Sequence, residues 1–361
     1  MNHAARVQSL RKAIEQHKLD SLLITHPPNV RYLCGFTGST SAVLVGSFGS
    51  VFFSDGRYTR QAHDEVRGAK IIIAKKSPVS AVAEWLSSRK SRKSITIGVE
   101  ADHLTVASFR QLKELVPKRL RLRHAPPLVE QSRLIKDAEE MEAIRAAVAT
   151  GSRLFDRALE VIRPGVSEIE VAAEMEYAAR KAGAEAMSFE TIIASGLRSA
   201  LPHGRASSAR IPTSGFVVCD FGVILRGYCS DRTRTVWVGS APEMARRVYS
   251  AALEAQAAGV EAVRPGATAG DVDFASRRVL QKYKLAKYFT HSTGHGVGLE
   301  IHEAPRVAKG QQEILRPGMV ITVEPGVYLP GQWGVRIEDM VVVTETGCEV
   351  LTPTQKEFIV I

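Results

Sequence analysis

Short apolar runs alternate with amphipathic stretches along the first 128 residues. The runs SLLIT, SAVLV, SVFFS, KIIIA and SITIGVE are short and rich in β-branched residues, which predicts strands. The chain to about Leu19 and the stretches GRYTRQAHDEV, AVAEWLSS and SFRQLKELV instead show the periodicity of helices. This alternation predicts an α/β domain.

The alternating pattern stops at the segment HAPPLVEQSRLIKD. We expect Pro126 and Pro127 to end regular structure there, and Asp137 to cap the long helix AEEMEAIRAAVATGSRLFDRALEVI. A chain of 361 residues is also longer than most single domains. We therefore predict two domains, residues 1–130 and 136–361.

The second predicted domain contains an internal repeat. The segments VIRPGVSEIEVAAEMEYAARKAG, from Val161, and AVRPGATAGDVDFASRRVLQKYK, from Ala262, each join a helix end, an RPG turn and a new helix. Two strands follow in each half: FVVCDFGVILRGYCSDRTRTVWV in the first and MVITVEPGVYLPGQWGVRIEDMVVV in the second. A pseudo-twofold axis would bring the two hairpins together, with the helices packed outside.

Charge and composition restrict the class of protein. The formal net charge of +10 originates in residues 1–135, which hold 22 Lys/Arg against 10 Asp/Glu. The basic runs RKSRK (89–93) and KRLRLR (118–123) lie in no nucleic-acid-binding motif, so we interpret them as a solvated face. No apolar run approaches the roughly 20 residues that cross a bilayer, and no signal peptide is recognisable. We expect a cytoplasmic protein that binds neither nucleic acid nor membrane.

Each predicted hairpin carries an acid in each of its two strands. The acids are Asp220 and Asp231 in the first hairpin and Glu324 and Glu338 in the second. Among apolar neighbours they would be buried and would need a compensating cation. The strands themselves offer three arginines, Arg232, Arg234 and Arg336. For four acids we favour divalent metal, with His295 of GHGVG as a nitrogen ligand, because such a shell suits two ions that share carboxylates.

The motifs D-x10-D, GHGxGLxxHE, TVEPGxY and GVRIED together closely resemble those of the pita-bread metallopeptidases, family M24. The N-terminal pattern resembles the branch of Xaa-Pro aminopeptidase and Xaa-Pro dipeptidase (prolidase). The resemblance covers nearly the whole chain and implies an α/β N-terminal domain followed by an α+β pita-bread (creatinase/aminopeptidase) domain with a pseudo-twofold repeat. It implies five ligands of a dinuclear centre, with the second and last bridging: Asp220, Asp231, His295, Glu324 and Glu338. Mn²⁺ is the expected metal, with Co²⁺ or Zn²⁺ as alternatives.

The resemblance also implies roles for residues around these ligands. His302 is expected to stabilise the oxyanion, Glu324 to take a proton from the nucleophile, and His203 to lie near the proline side of the substrate. Glu303 is expected to support the loop or His302, and Arg232 to point away from the metals because side chains alternate across a strand. The remaining residues expected in or behind the pocket are His291, Arg306, Tyr328, Arg336 and Tyr228.

The resemblance implies a peptidase for peptides with proline in second position. We favour an Xaa-Pro aminopeptidase, on the abundance of that activity in the family. The alternative is an Xaa-Pro dipeptidase, in which Arg306 would hold the carboxylate of the C-terminal proline. A remote alternative is a non-enzymatic pita-bread binding module, which the complete ligand set disfavours. We also expect a homodimer in which the basic N-terminal domain helps to close a neighbouring active site.

Overall fold

The protein consists of two compact units, Met1–Arg133 and Leu134–Ile361. The structure, a computed structural model, describes residues 1–89, 94–352 and 354–361. Most of the first basic run, residues 90–93, therefore lies outside the described residues. In the second run, Arg121 and Arg123 are exposed, as a solvated face requires.

The unit Met1–Arg133 is a mixed six-stranded sheet with the order β4-β3-β2-β1-β5-β6. Ala42 and Leu44 of its central part lie in one apolar cluster with residues of α4 and α5, whereas the alternate residues Val43 and Val45 are buried on the opposite face. Helices α1 and α2 also contact β2, so both faces are covered and the predicted α/β architecture is confirmed. The elements are α1 (His3–Gln16), β1 (Ser21–Ile24), α2 (Pro27–Cys34), β2 (Ser41–Gly46), β3 (Gly49–Asp55), α3 (Thr59–Glu65), β4 (Lys70–Ala74), α4 (Pro78–Ser88), β5 (Ile95–Glu100), α5 (Val106–Leu115), β6 (Leu120–Ala125) and α6 (Leu128–Arg133).

Two short helices in this unit follow proline pairs and were not predicted. Helix α2 has Pro27 and Pro28 in its first turn, and α6 begins directly after Pro126 and Pro127. The expectation that Pro126 and Pro127 stop regular structure was therefore wrong for the residues that follow them. The first helical turn does not use its N–H groups within the helix, so proline is compatible with a helix start.

The unit Leu134–Ile361 shows the predicted repeat. Gly165 and Gly266 of the two RPG turns both have left-handed backbones, with φ of 87° and 86°, and Ser167 and Thr268 begin the following helices with capping boxes. None of the helices in the described parts of the chain could span a membrane. The elements are α7 (Ala138–Val161), α8 (Glu168–Lys181), β7 (Ala186–Met187), β8 (Ile192–Ser195), β9 (Gly215–Phe221), β10 (Val223–Leu225), β11 (Tyr228–Cys229), β12 (Arg232–Val238), α9 (Glu243–Ala262), α10 (Ala269–Lys282), β13 (Gly294–Gly296), β14 (Glu303–Val307), β15 (Val320–Val323), β16 (Gly326–Leu329), β17 (Trp333–Arg336), β18 (Asp339–Val343) and β19 (Cys348–Val350).

Both predicted hairpins are interrupted in the middle. In the first, β9 pairs with β12 while β10 pairs with β11; in the second, β15 pairs with β18 while β16 pairs with β17. Asp220 lies within β9, but Asp231, Glu324 and Glu338 lie between strand segments, which corrects the expectation of an acid inside every strand. A break releases a residue from strict alternation, so its carboxylate can turn towards the site.

Candidate metal centre

The five expected ligands line a single cavity of about 630 Å³ in Leu134–Ile361, and they are Asp220, Asp231, His295, Glu324 and Glu338. One ligand atom from each of Asp231, His295 and Glu338 lies within 4.8 Å of the others. The imidazole Nε2 of His295 is 3.5 Å from Asp231 Oδ2 and 3.5 Å from Glu324 Oε1. Residues far apart in the sequence therefore direct donor atoms to one small volume.

His295 presents a free lone pair to these carboxylates. Its Nδ1 lies 3.0 Å from the carbonyl oxygen of Gly296, so Nδ1 carries the proton and donates it to that carbonyl. Burial lowers the pKa of His295 to about 4, which keeps the imidazole neutral near pH 7. The other nitrogen, Nε2, is the one that faces the acids, as a metal ligand must.

The acids destabilise one another's charges. Burial, followed by the charges of Asp220 and Glu324, raises the pKa of Asp231 well above its usual range. Burial and the charge of Asp231 do the same to the pKa of Glu338, and burial raises the pKa of Glu324 to about 8. Four carboxylates at such close range favour a cation of high charge density among them.

Thr233 and Arg336 support two of the acids from behind. The hydroxyl of Thr233 donates to Glu338 Oε2 at 2.7 Å and accepts from Arg336 Nε at 3.1 Å. Arg336 Nη2 donates to Asp220 Oδ2. The other Asp220 oxygen, Oδ1, is buried and has no hydrogen-bond partner among the described residues. Sequence reasoning missed Thr233, which lies opposite Asp220 in the pairing of β9 with β12.

This donor set fits two divalent cations. An unpaired buried oxygen of Asp220 and the Nε2 lone pair of His295 both need a partner. Hard carboxylate oxygens with one imidazole suit Mn²⁺, Co²⁺ or Zn²⁺, and the four cysteines do not line the cavity. Arg232 does not enter the site, because its Nη2 donates to Ser152 of α7 at 2.6 Å.

His291 lines the cavity, but both of its nitrogens are engaged. Its Nδ1 lies 2.8 Å from the Ser292 carbonyl, and its Nε2 accepts from the Tyr328 hydroxyl at 2.9 Å. That hydroxyl in turn accepts from Arg336 Nη1 at 2.5 Å. Burial lowers the pKa of His291 to about 3. His291 and Tyr328 therefore form a supporting chain behind Arg336, with only the histidine at the cavity surface.

The two tyrosines expected to line the pocket do not line it. Tyr328 lies behind His291, as its hydrogen bonds show. Tyr228 is buried elsewhere and donates from its hydroxyl to Glu140 Oε1 at 2.8 Å. The expectation for Tyr228 is corrected because it lies on β11, whose side chains pack against α7 rather than towards the acids.

His302, His203 and Arg306 are exposed on the cavity wall. The rings of His302 and His295 are 4.4 Å apart in an edge-to-face arrangement. Arg306 lies opposite His295 in the pairing of β13 with β14. These three side chains have the freedom to contact a bound molecule.

The segment that carries His203 is tied down by Glu168, a fully buried residue at the start of α8. Glu168 Oε1 accepts from the backbone and hydroxyl of Ser195 at 2.8 and 2.9 Å. Its Oε2 accepts from Arg198 Nε at 2.9 Å and from the Ser207 hydroxyl at 2.7 Å. One carboxylate thus holds both ends of the segment. Nothing in the sequence signalled this role, because it depends on contacts between distant residues.

Comparisons with known proteins agree with this arrangement. Residues 142–345 match Metallopeptidase family M24, and residues 6–135 match the Creatinase/Prolidase N-terminal domain. The chain is similar to a structure described as Xaa-Pro dipeptidase from Bacillus anthracis, with 41% identity, a TM-score of 0.95 and full coverage of both chains. It is 38% identical to the Xaa-Pro dipeptidase of Pyrococcus furiosus over 98% of this chain and 99% of that protein.

A third relative carries a different name. The X-Pro aminopeptidase structure from Thermotoga maritima shares 34% identity and a TM-score of 0.90, covering 98% of this chain and 99% of that one. The chain belongs to metallopeptidase family M24 and is a hydrolase. The family and the two-part fold expected from the sequence are confirmed.

Proposed function

We propose that this protein is an Xaa-Pro dipeptidase that uses two divalent metal ions, with Mn²⁺ as the expected metal. The names of the similar proteins support the dipeptidase, the alternative in the sequence analysis, better than the aminopeptidase favoured there. The aminopeptidase remains the second candidate, because a relative of similar fold bears that name. The proposal rests on one observation, namely that the exposed side chain of Arg306 lines the cavity.

Arg306 is a cation available to a substrate carboxylate. Its side chain is exposed on the cavity wall and forms no ion pair or hydrogen bond with any residue in the described ranges. Its backbone is the partner of His295 in the register of β13 with β14. The other exposed arginine of the wall, Arg205, is already paired with Glu190 at 2.9 Å. A dipeptide has a free carboxylate close to its scissile bond, whereas a longer peptide does not. A guanidinium in this position therefore favours dipeptides.

We assign different catalytic roles to the other residues that line the cavity. When bound, divalent ions polarise the scissile carbonyl and make water a nucleophile near neutral pH. To Glu324, whose Oε1 lies 3.5 Å from His295 Nε2, we assign the acceptance of a proton from the attacking water. His302 donates to the oxyanion and helps to protonate the leaving nitrogen. We assign His203, which lines the cavity, to the proline side of the substrate. Glu168 anchors the segment that carries this histidine.

Replacing Arg306 by Met tests this proposal. We expect kcat/KM on an Xaa-Pro dipeptide to fall about 10- to 150-fold, because a hydrogen bond between charged groups contributes about 1.5–3 kcal/mol. Hydrolysis of the C-terminally amidated dipeptide, which lacks the carboxylate, should change little. Arg205→Met is the matched control, since that arginine lines the same cavity but is already paired.

The wild-type protein should prefer an Xaa-Pro dipeptide to an Xaa-Pro-Yaa tripeptide. Equal or faster cleavage of the tripeptide, together with an Arg306→Met variant of unchanged preference, would establish the aminopeptidase instead. The homodimer and the cytoplasmic location stay predictions. A solution mass equal to that of one chain, with full activity, would contradict the dimer.

A further inference from the structure

Lys136 and Glu303 form a buried ion pair beside the loop that carries His302. Lys136 Nζ lies 3.4 Å from Glu303 Oε2, and the two side chains are 1% and 7% exposed. A charge removed from water to this degree is tolerated when an opposite charge accompanies it. Both residues belong to Leu134–Ile361.

The carboxylate of Glu303 organises this loop from inside. Its Oε1 accepts a hydrogen bond from the backbone N–H of Glu300 at 3.1 Å. It also fills the space beside Gly298, where a Cβ atom would lie 2.7 Å from both carboxylate oxygens. The loop is closed at its base by the pairing of Gly296 with Glu303. Position 298 therefore requires glycine because Glu303 packs against it, and not because His295 is an expected metal ligand.

Lys136 is anchored by its backbone just before the start of α7. Its backbone N–H donates to the Gly318 carbonyl at 2.9 Å. The next residue, Asp137, caps α7 by a capping box with Glu140. The ammonium group therefore connects the start of a 24-residue helix to the loop.

The direction of the His302 side chain depends on its backbone. The ring has no hydrogen bond to any residue that the structure describes, and it is exposed to the cavity. Its chain neighbour Glu303 is the residue that the ion pair fixes. We propose that Lys136 is a positioning residue, which acts through Glu303 to aim His302 at the substrate carbonyl. This inference rests on the role of His302 in the proposed function.

A double-mutant cycle tests the inference. Lys136→Met should lower kcat on an Xaa-Pro dipeptide about 10- to 100-fold, the range typical of residues that orient a catalytic group from behind. In a His302→Ala background the same change should cost less than about threefold, because the residue that Lys136 positions is already absent. Metal content and circular dichroism are measured for every variant.

Arg145→Met is the matched control. Arg145 also lies near the start of α7 and pairs with an acid, Glu349, at 2.5 Å, but at the exposed surface. It should leave kcat unchanged in both backgrounds. An equal loss from Lys136→Met with and without His302 would overturn the inference, since a general effect on folding or metal binding is additive. If Lys136→Met does not fold, Lys136→Met/Glu303→Gln replaces it in the cycle, as a neutral pair buries no charge.

Amide hydrogen exchange gives a readout that needs no substrate. The peptide spanning residues 297–303 should exchange faster in Lys136→Met than in wild type, with and without Mn²⁺, while Arg145→Met leaves it unchanged. Unchanged exchange would overturn the inference even if kcat falls. If the wild-type protein cleaves no Xaa-Pro peptide, the proposed function fails instead, and faster exchange still supports the structural link from Lys136 to the loop.

Discussion

Thr233→Val removes a hydroxyl from behind the proposed metal centre without changing the shape of the side chain. Thr233 is fully buried, and its hydroxyl is the link between Glu338 Oε2 and Arg336 Nε. Valine can neither donate to the carboxylate nor accept from the guanidinium. Both partners stay buried, since Glu338 is 1% and Arg336 is 3% exposed.

The expected cost follows from these two contacts. A hydrogen bond to a charged group contributes about 1.5–3 kcal/mol to the free energy of unfolding. Part of this is recovered as the partners shift, so we expect the chelated variant to lose about 2–3 kcal/mol. Loss of a group that orients a ligand typically weakens metal binding about 10- to 100-fold. Thr233→Val should therefore show both effects, with weaker binding of Mn²⁺ as the diagnostic one.

Calorimetric titration of chelated protein with Mn²⁺, beside urea unfolding with and without metal, measures both quantities. Thr235→Val is the matched control: this buried hydroxyl, two residues further along β12, donates to the backbone carbonyl of Arg336 at 2.8 Å and accepts from the Arg336 N–H at 3.2 Å. Among the described residues it has no hydrogen bond to an expected ligand. It should lower stability but leave the affinity for Mn²⁺ within about twofold. Wild-type affinity in Thr233→Val, with a stability loss equal to that of the control, would refute the reasoning.

Three further predictions concern the two histidines and the metal. His295→Ala removes the proposed nitrogen ligand, so metal content and turnover should fall together and excess metal should restore part of the activity. His302→Ala should keep its metal but lose about 10²–10³ in kcat, as expected for one oxyanion donor; metal loss like that of His295→Ala would contradict the assignment. Exhaustive chelation should abolish hydrolysis, and returning Mn²⁺ at 100 times its Kd should add about 2.7 kcal/mol to the free energy of unfolding; full activity after chelation would exclude a metal mechanism.

Local patterns in the sequence predicted much of the fold. Short apolar runs identified strands β1 to β5, and Asp137 was recognised as a helix cap, which the capping box confirms. The two RPG turns indicated the repeat. Their glycines, Gly165 and Gly266, both adopt the left-handed backbone that glycine tolerates readily. These features depend on residues within a few positions of one another, so local sequence patterns are sufficient to predict them.

The residue types of the candidate site could also be predicted from the sequence, but their spatial arrangement could not. Four acids in two repeated hairpins, with a histidine in the glycine-flanked stretch GHGVG, indicated a metal centre from the sequence alone. The breaks that carry Asp231, Glu324 and Glu338 were not foreseen, and Tyr228 does not line the pocket in which it was expected. Alternation within a strand predicts a face only while the strand is continuous.

The sequence alone determined the fold class, the family and the chemical types that surround the cavity, because these follow from local periodicity and motifs. Only the tertiary structure decided which distant residues support them. Thr233 and Glu338 are 105 positions apart, and Lys136 and Glu303 are 167 positions apart. Such pairs leave no periodic signal, since their contact depends on how whole strands and helices pack. A buried charge or hydroxyl acquires its role from the partner that packing brings to it.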